Sequence, residues 1–271
     1  MGDLYIVPTP IGNLEDITLR AIRLLGEVSL IAAEDTRVTR RLLNHLEITT
    51  PLTSYHEHNK LKKLDAILDA LSEGDVALVS DAGTPGLSDP GYELICAALD
   101  HAINVIPLPG ASALLPALVA SGLPTDHFLY LGFLPRKGSR RRAVIEEIQS
   151  LTYTLVFYEA PHRLIDTLAD LYQVLGDRQV AVANEISKRY EEFWRGPLSE
   201  AAAYFEANPP RGEYVVIVEG GEPLIPVVWS EDQVREAFEA EIASGLSPSK
   251  AAKHVAKESG WPRQDVYNLG L

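Results

Sequence analysis

Three turns rich in glycine and proline each follow a short apolar, β-rich run: PTPIGNL at 8–14, SDAGTPG at 80–86 and PLPGASA at 107–113. Such residues end strands in many settings. Three of them behind similar runs, one opening on Asp81, would set a carboxylate beside backbone that a ligand can approach closely. None leads into Gly-Lys-Ser/Thr and none is Gly-x-Gly-x-x-Gly, so phosphate cradling is not their evident use. AAEDTR at 32–37 places two acids and an arginine after another apolar run. There Asp35 or Thr36 can cap a helix, or the acid pair can serve a cleft. SYHEHNK at 54–60 brings His56, Glu57 and His58 together. His-x-His can ligate metal, but no further ligand lies near it, so a polar loop and no metal site are expected. FYEAPHR at 157–163 and ANEISKRYEE at 183–192 also end apolar runs in an acid, with a base a few residues later.

PRKGSRRR at 135–142 carries Arg136, Lys137, Arg140, Arg141 and Arg142, with no acid among its eight residues. Positive charge at a helix start opposes the helix dipole. Phosphate contact is the chemistry such a placement suits, against the plainer alternative of a solvated helix start. The Gly138-Ser139 pair reads as a mobile loop that orders on a polyanion.

The elements that must position these residues follow from pattern and length. At 271 residues the chain can bury two modest cores. Its net charge of −14 argues against indiscriminate binding to nucleic acid or anionic lipid, so a polyanionic partner would need a local basic patch. A single cysteine, Cys96, excludes an internal disulfide framework and a cysteine-based zinc site, and fits a reducing cytoplasm. The N-terminal residues do not resemble a signal peptide. The longest apolar stretches, such as 113–120, fall far short of the ~20 residues that cross a bilayer, so no membrane role is expected.

Residues 1–121 alternate short apolar strands with amphipathic helices, the signature of a parallel or mostly parallel α/β sheet covered on both faces. Ligands of such sheets sit outside the carboxyl ends of the strands, where the unusual turns collect. After a linker at 121–128, residues 122–222 contain consecutive strands without an intervening helix, which predicts a mixed sheet in a second α/β domain. A second linker, GGEPLIPVV at 220–228, precedes an all-helical segment at 230–271. Within it Ser230, Ser247-Pro248 and Trp261-Pro262 mark three helix starts.

In this order, VPTPIGNL, AAEDTR, SYHEHN, SDAGTPGLSDPG, PGASA, FYEAPHR and an Asn-Glu pair with a nearby lysine resemble the tetrapyrrole methylase superfamily over roughly the whole chain. AAEDTR and SYHEHN are similar to its branch that modifies small-subunit ribosomal RNA, whereas the glycine turns are shared with corrin and sirohaem methylases and diphthine synthase. The last forty residues resemble the small helix-turn-helix-like module that ends many members.

The resemblance implies a class III methyltransferase fold, with two α/β domains and S-adenosylmethionine folded into the cleft between them. It implies 2′-O-methylation of one cytidine ribose in the decoding region of 16S rRNA, within the small ribosomal subunit, by a cytoplasmic homodimer. Leu114, Leu115 and Leu118 offer either an apolar surface for the dimer or part of the core. By family correspondence Asp81 lies beneath the cofactor, while Gly83 and Thr84 bring backbone amides to it. Ile11 and Gly12 line the first turn, Ala111 and Ser112 the third. Tyr158, Asn184, Gly212 and Glu213 complete the pocket. Carboxylates and carbonyls suit a ligand that carries a sulfonium and an ammonium. A ribose hydroxyl is a poor acid and needs help losing its proton. Asp35, Arg37, His56, Glu185 and Lys188 are the candidates, and the residues alone do not choose among them. The rivals are a methylase of a tetrapyrrole precursor, which shares the glycine turns, and a non-catalytic nucleic-acid-binding regulator that uses the helical tail.

Overall fold

The computed structural model describes residues 2–222 and 229–269. Residues 2–221 form one compact unit and the C-terminal helices another. Of the linker expected at 220–228, residues 223–228 lie outside the described residues.

The first unit opens as a βα alternation. β1 (Leu4–Ile6), α1 (Leu19–Glu27), β2 (Leu30–Ala33), α2 (Thr36–His45) and β3 (Leu52–Ser54) are followed by α3 (Lys60–Glu73), β4 (Val76–Val79), α4 (Tyr92–Asp100) and β5 (Val105–Pro107). The sheet runs β3-β2-β4-β1-β5 with every pairing parallel, as the apolar runs predict. Side chains alternate across it, and both faces are covered. Val76 and Leu78 pack on Ile67 and Leu71 of α3 and Leu94 of α4. Ala77 and Val79 pack with Leu24 and Leu25 of α1 and Leu43 of α2 on the opposite face.

α5 (Leu114–Ala120) then leads into a second sheet. It comprises β6 (Phe128–Phe133), α6 (Gly138–Ile148), β7 (Thr154–Glu159), α7 (Leu164–Leu175), β8 (Gln179–Asn184), β9 (Glu192–Pro197), α8 (Leu198–Ala207) and β10 (Tyr214–Val218). The order β6-β7-β10-β8-β9 has one parallel pairing, β6 with β7, and three antiparallel ones, hence the predicted mixed sheet. α6, α7 and α8 cover one face. On the other, Val215 and Ile217 of β10 meet Leu114, Ala117 and Leu118 of α5, with Ile11 and Leu87 beside them. So α5, although it precedes the boundary expected at 121, packs on the second sheet. Leu114 and Leu118 are accordingly core residues rather than an apolar surface, while Leu115 is exposed.

The basic segment also differs from expectation. Gly138 and Ser139 are not a loop but the first turn of α6. Arg141 is buried, and its Nε and Nη2 each stand 2.7 Å from Asp170 Oδ2 on α7. Arg142 takes the other oxygen at 2.8 Å. Two of the five cations are therefore spent joining helices, which removes Arg141 as an RNA contact. Arg136, Lys137 and Arg140 remain exposed.

The C-terminal unit consists of α9 (Glu231–Ala243), α10 (Pro248–Ser259) and α11 (Arg263–Leu269). Ser230 caps α9 in a reciprocal box with Gln233, and Pro248 opens α10, as the sequence predicts. Val234, Phe238, Ala251, Ala252, Val255 and Val266 form its own core. Among the described residues no helix is long and apolar enough to cross a membrane.

Candidate active site

All three glycine turns meet at the carboxyl edge of the parallel sheet. Backbone bonds run both ways between Thr9 and Gly83, at 2.9 and 2.8 Å, and tie the first turn to the second. Thr84 Oγ1 donates to Ala111 O at 3.2 Å and ties the second to the third. The Gly83 amide is thereby committed to Thr9 and is not the ligand-facing donor the resemblance implies. Gly83 still has a positive φ of 79°, a conformation glycine adopts without strain.

A cleft opens between this edge and the face of the second sheet that α5 covers only in part. One wall is Ile11, Gly83, Thr84, Leu87, Asp89 and Ser112; the other is Phe133, Tyr158, Glu185, Lys188 and Glu213. Tyr130, Phe133 and Tyr158 form an aromatic corner, with ring centroids 5.2 and 5.7 Å from Tyr158. The Ser88 and Tyr130 hydroxyls bond at 2.7 Å across the two walls. Burial pushes the Tyr158 hydroxyl pKa well above its ordinary value, so it stays a neutral donor and acceptor.

Several site residues lie just behind the lining. Gly12 and Gly212 act through the side chain they lack. A Cβ on Gly12 would collide with the Lys188 stem, and one on Gly212 with the Glu185 carboxylate. Asn184 Oδ1 is buried without a hydrogen-bond partner among the described residues, an acceptor waiting for a donor. Glu185 and Ser187 adopt left-handed backbone, with φ of 51° and 67°, unusual for residues with a Cβ. This turn carries Lys188 back over the first turn, where its Nζ holds Glu185 at 2.8 Å. Ser187 Oγ bonds the Asp16 carboxylate from the same turn.

Asp81 does not line the main cleft. It faces an adjoining groove with Thr9, Arg41 and His45. Its Oδ1 accepts the Asp35 amide at 2.9 Å, and its own amide donates to Glu34 Oε2 at 3.3 Å. Burial and then the neighbouring Asp35 carboxylate raise the Asp81 pKa, which the Asp35 amide opposes. Burial likewise raises Glu34, with His56 acting against it. Asp35 caps α2 through the Arg37 amide and grips the Arg37 side chain, which holds the Asp35 carboxyl at about 2. Of the five catalytic candidates, only Glu185 and Lys188 line the cleft. Asp35 and Arg37 are a capping pair at the start of α2, next to Asp81, and His56 sits near Glu34.

Two further acids separate by role. Glu159, at the end of FYEAPHR, is fully buried and bound by Thr167, the Ala160 amide and Arg163, so it braces β7 against α7. Asp89 was not singled out by sequence, yet it lines the cleft. Burial pushes its pKa up to about 7, reinforced by Glu34, Glu213 and Asp81 against a favourable Ser80 hydroxyl. Its signal was available, since SDPG repeats the acid-proline-glycine pattern of the turn before it. Among the described residues no cluster of metal-ligating side chains occurs. The cleft therefore combines several carboxylates and an apolar aromatic corner, with an unfilled amide acceptor just behind its lining, a chemistry suited to a small organic cation.

The family model for Tetrapyrrole (Corrin/Porphyrin) Methylases matches residues 3–202. Ribosomal RNA small subunit methyltransferase I of Halalkalibacterium halodurans is 51% identical, covering 99% of this chain and 94% of that protein. Its namesake from Synechocystis sp. is 48% identical over 100% and 98%. Among solved structures, a cobalt precorrin-4 methyltransferase superposes with a TM-score of 0.59 at 14% identity, covering 80% of this chain and 94% of that one. Uroporphyrin-III C-methyl transferase from Thermus thermophilus, complexed with S-adenyl homocysteine, gives 0.55 at 21% identity over 82% and 98%. These two likenesses concern the fold. Glycine turns joined at one sheet edge, a second mixed sheet facing them, and near full-length identity to one group of relatives agree: the chain belongs to the tetrapyrrole methylase family, among the ribosomal RNA small subunit methyltransferase I proteins.

Proposed function

We propose that this chain transfers a methyl group from S-adenosylmethionine to the ribose 2′-oxygen of one cytidine in the decoding region of 16S rRNA, within the small ribosomal subunit. The observation that carries this reading is the near full-length identity to relatives named for small-subunit rRNA methylation, on a chain whose cleft fits the donor. The fit rests on three features. Asp89 and Glu213 supply negative charge for a sulfonium and an ammonium. Asn184 Oδ1 lacks a donor that an amino group would provide. Ile11, Leu87 and the aromatic corner offer apolar surface for the rest of the molecule.

When bound, S-adenosylmethionine supplies an electrophilic methyl on a sulfur that leaves as a neutral thioether. The chain's own part is positioning and proton removal. Glu185 sits on the strained turn at the cleft wall and takes the 2′-hydroxyl proton as the oxygen–carbon bond forms. Lys188, bonded to Glu185, fixes that carboxylate and eases negative charge on the attacking oxygen. Asp81 and Glu34 hold the second turn from behind. Arg136, Lys137 and Arg140 are exposed for RNA phosphates. The active species is a cytoplasmic homodimer, with Leu115 and Val119 on the exposed side of α5 available to a partner copy.

Mass-spectrometric mapping of methylated ribose in 16S rRNA, from cells with and without this protein, tests the assignment. One cytidine should lose its 2′-O-methyl group when the protein is absent; an unchanged map would overturn the reading. Glu185→Gln should lower kcat on small subunits by about 100-fold or more. Calorimetry should find its affinity for S-adenosylmethionine nearly unchanged.

A further inference from the structure

The family model ends at residue 202, so the three-helix C-terminal unit lies outside the part shared with the superfamily. Its surface charge is sorted by helix. α9 carries five acids against one arginine, in EDQVREAFEAEIA. α10 carries three lysines and a histidine against one acid, in PSKAAKHVAKES. At about 100° per residue, Lys250, Lys253, His254 and Lys257 share one arc of α10. All four are exposed, whereas Ala251, Ala252, Val255 and Ser259 occupy the opposite, buried face. His254 shares its Nδ1 with Glu241 of α9 at 3.3 Å. Among the described residues none of the three lysines is in an ion pair, although the surrounding chain is strongly acidic. The connection from α9 to α10 is four residues long, 244–247, and contains Gly245 at a φ of 95°. That is the short glycine-bearing turn of helix-turn-helix units, in which the second helix meets nucleic acid.

We propose that the Lys250–Lys253–Lys257 face of α10 docks on the phosphate backbone of a helical segment of the substrate rRNA. The proposal rests on the rRNA reading above and adds a second contact surface to it. Charge complementarity selects the partner, since a row of unpaired lysines on a body of net −14 is attracted to a polyanion and its acidic neighbour α9 is repelled. The contact is sequence-independent, because the major groove of A-form RNA is too narrow for side chains to read. The unit then orients the enzyme on the subunit, and the chemistry stays in the cleft.

The test is steady-state methylation of purified small subunits by the full chain and by Lys250→Gln/Lys253→Gln/Lys257→Gln, over a series of salt concentrations. KM should rise about tenfold at low salt, and the log–log salt slope should fall by about two. The value of kcat at saturating subunits and the affinity for S-adenosylmethionine should stay within twofold. Helical circular dichroism should confirm a folded α10. Unchanged KM and unchanged slope in a folded variant would overturn the proposal. So would loss of binding to duplex DNA alone, with subunit KM preserved. Failure of the unmodified chain to methylate subunits would instead overturn the rRNA reading, so the two failures are distinguishable.

Discussion

Asp89 carries the proton that the cleft controls most strongly. Its pKa of about 7 is set first by burial and then by Glu34, with Glu213 and Asp81 adding to the repulsion. A folded value above the unfolded one of about 3.9 means the group favours folding at low pH. That contribution is complete below about pH 4 and is lost as pH rises through 7. Asp89→Asn removes the ionisation, so its melting temperature relative to the unmodified protein should improve from pH 5 to pH 8.5. The same substitution should weaken S-adenosylmethionine binding at pH 8.5, measured by calorimetry, because a cation loses a carboxylate partner. Equal melting differences at both pH values would contradict the account. Sequence placed Asp81 and the glycine turns at the correct sheet edge because acids and glycines directly follow apolar runs. It does not mark Asp89, whose pKa depends on burial in the folded cleft and then on Glu34 and Glu213, which distant segments bring near.

Between elements, the pair that matters most for rigidity is Arg141 on α6 with Asp170 on α7. Both side chains are nearly inaccessible, at 6% and 9% of their free exposure. Breaking such a pair strands a buried charge and costs about 3 kcal/mol or more. Asp170→Ala should therefore lower the melting temperature by many degrees, whereas Arg140→Ala, on the exposed side of the same helix, should leave it within a degree or two. A run of five cations read along the chain looks like one basic patch. The fold divides it, because helical periodicity turns Arg141 inward and the acid that receives it lies on another helix. Strands were legible for the opposite reason, since their signal is local: β2, β4 and β10 keep the bounds that their apolar runs suggest. α5 was not legible. Pro116 in its first turn and its seven-residue length suppress a helical pattern, and its packing partner is the later sheet.

On the scale of the whole molecule, the C-terminal unit has a small core of its own, with Trp261 donating its indole N–H to Trp229 O at 2.7 Å. Units of this size are marginally stable. Calorimetric unfolding should show two transitions, the smaller one lower in temperature and accompanied by most of the tryptophan fluorescence change, because two of the three tryptophans lie there. A single transition by both probes would contradict it. The first 221 residues behave differently. β1 sits between β4 and β5, so the earliest strand to be synthesised is an interior one, and its neighbours arrive only with residues 76–79 and 105–107. The cleft itself draws on Ile11 at one end and Val215 at the other. A nascent chain emerging from the ribosome can thus complete its parallel sheet about halfway through synthesis, yet it has no second wall until β10 is out. Donor binding is one of the last properties the growing chain acquires, and until then its acidic pocket is an open edge in need of protection from other chains.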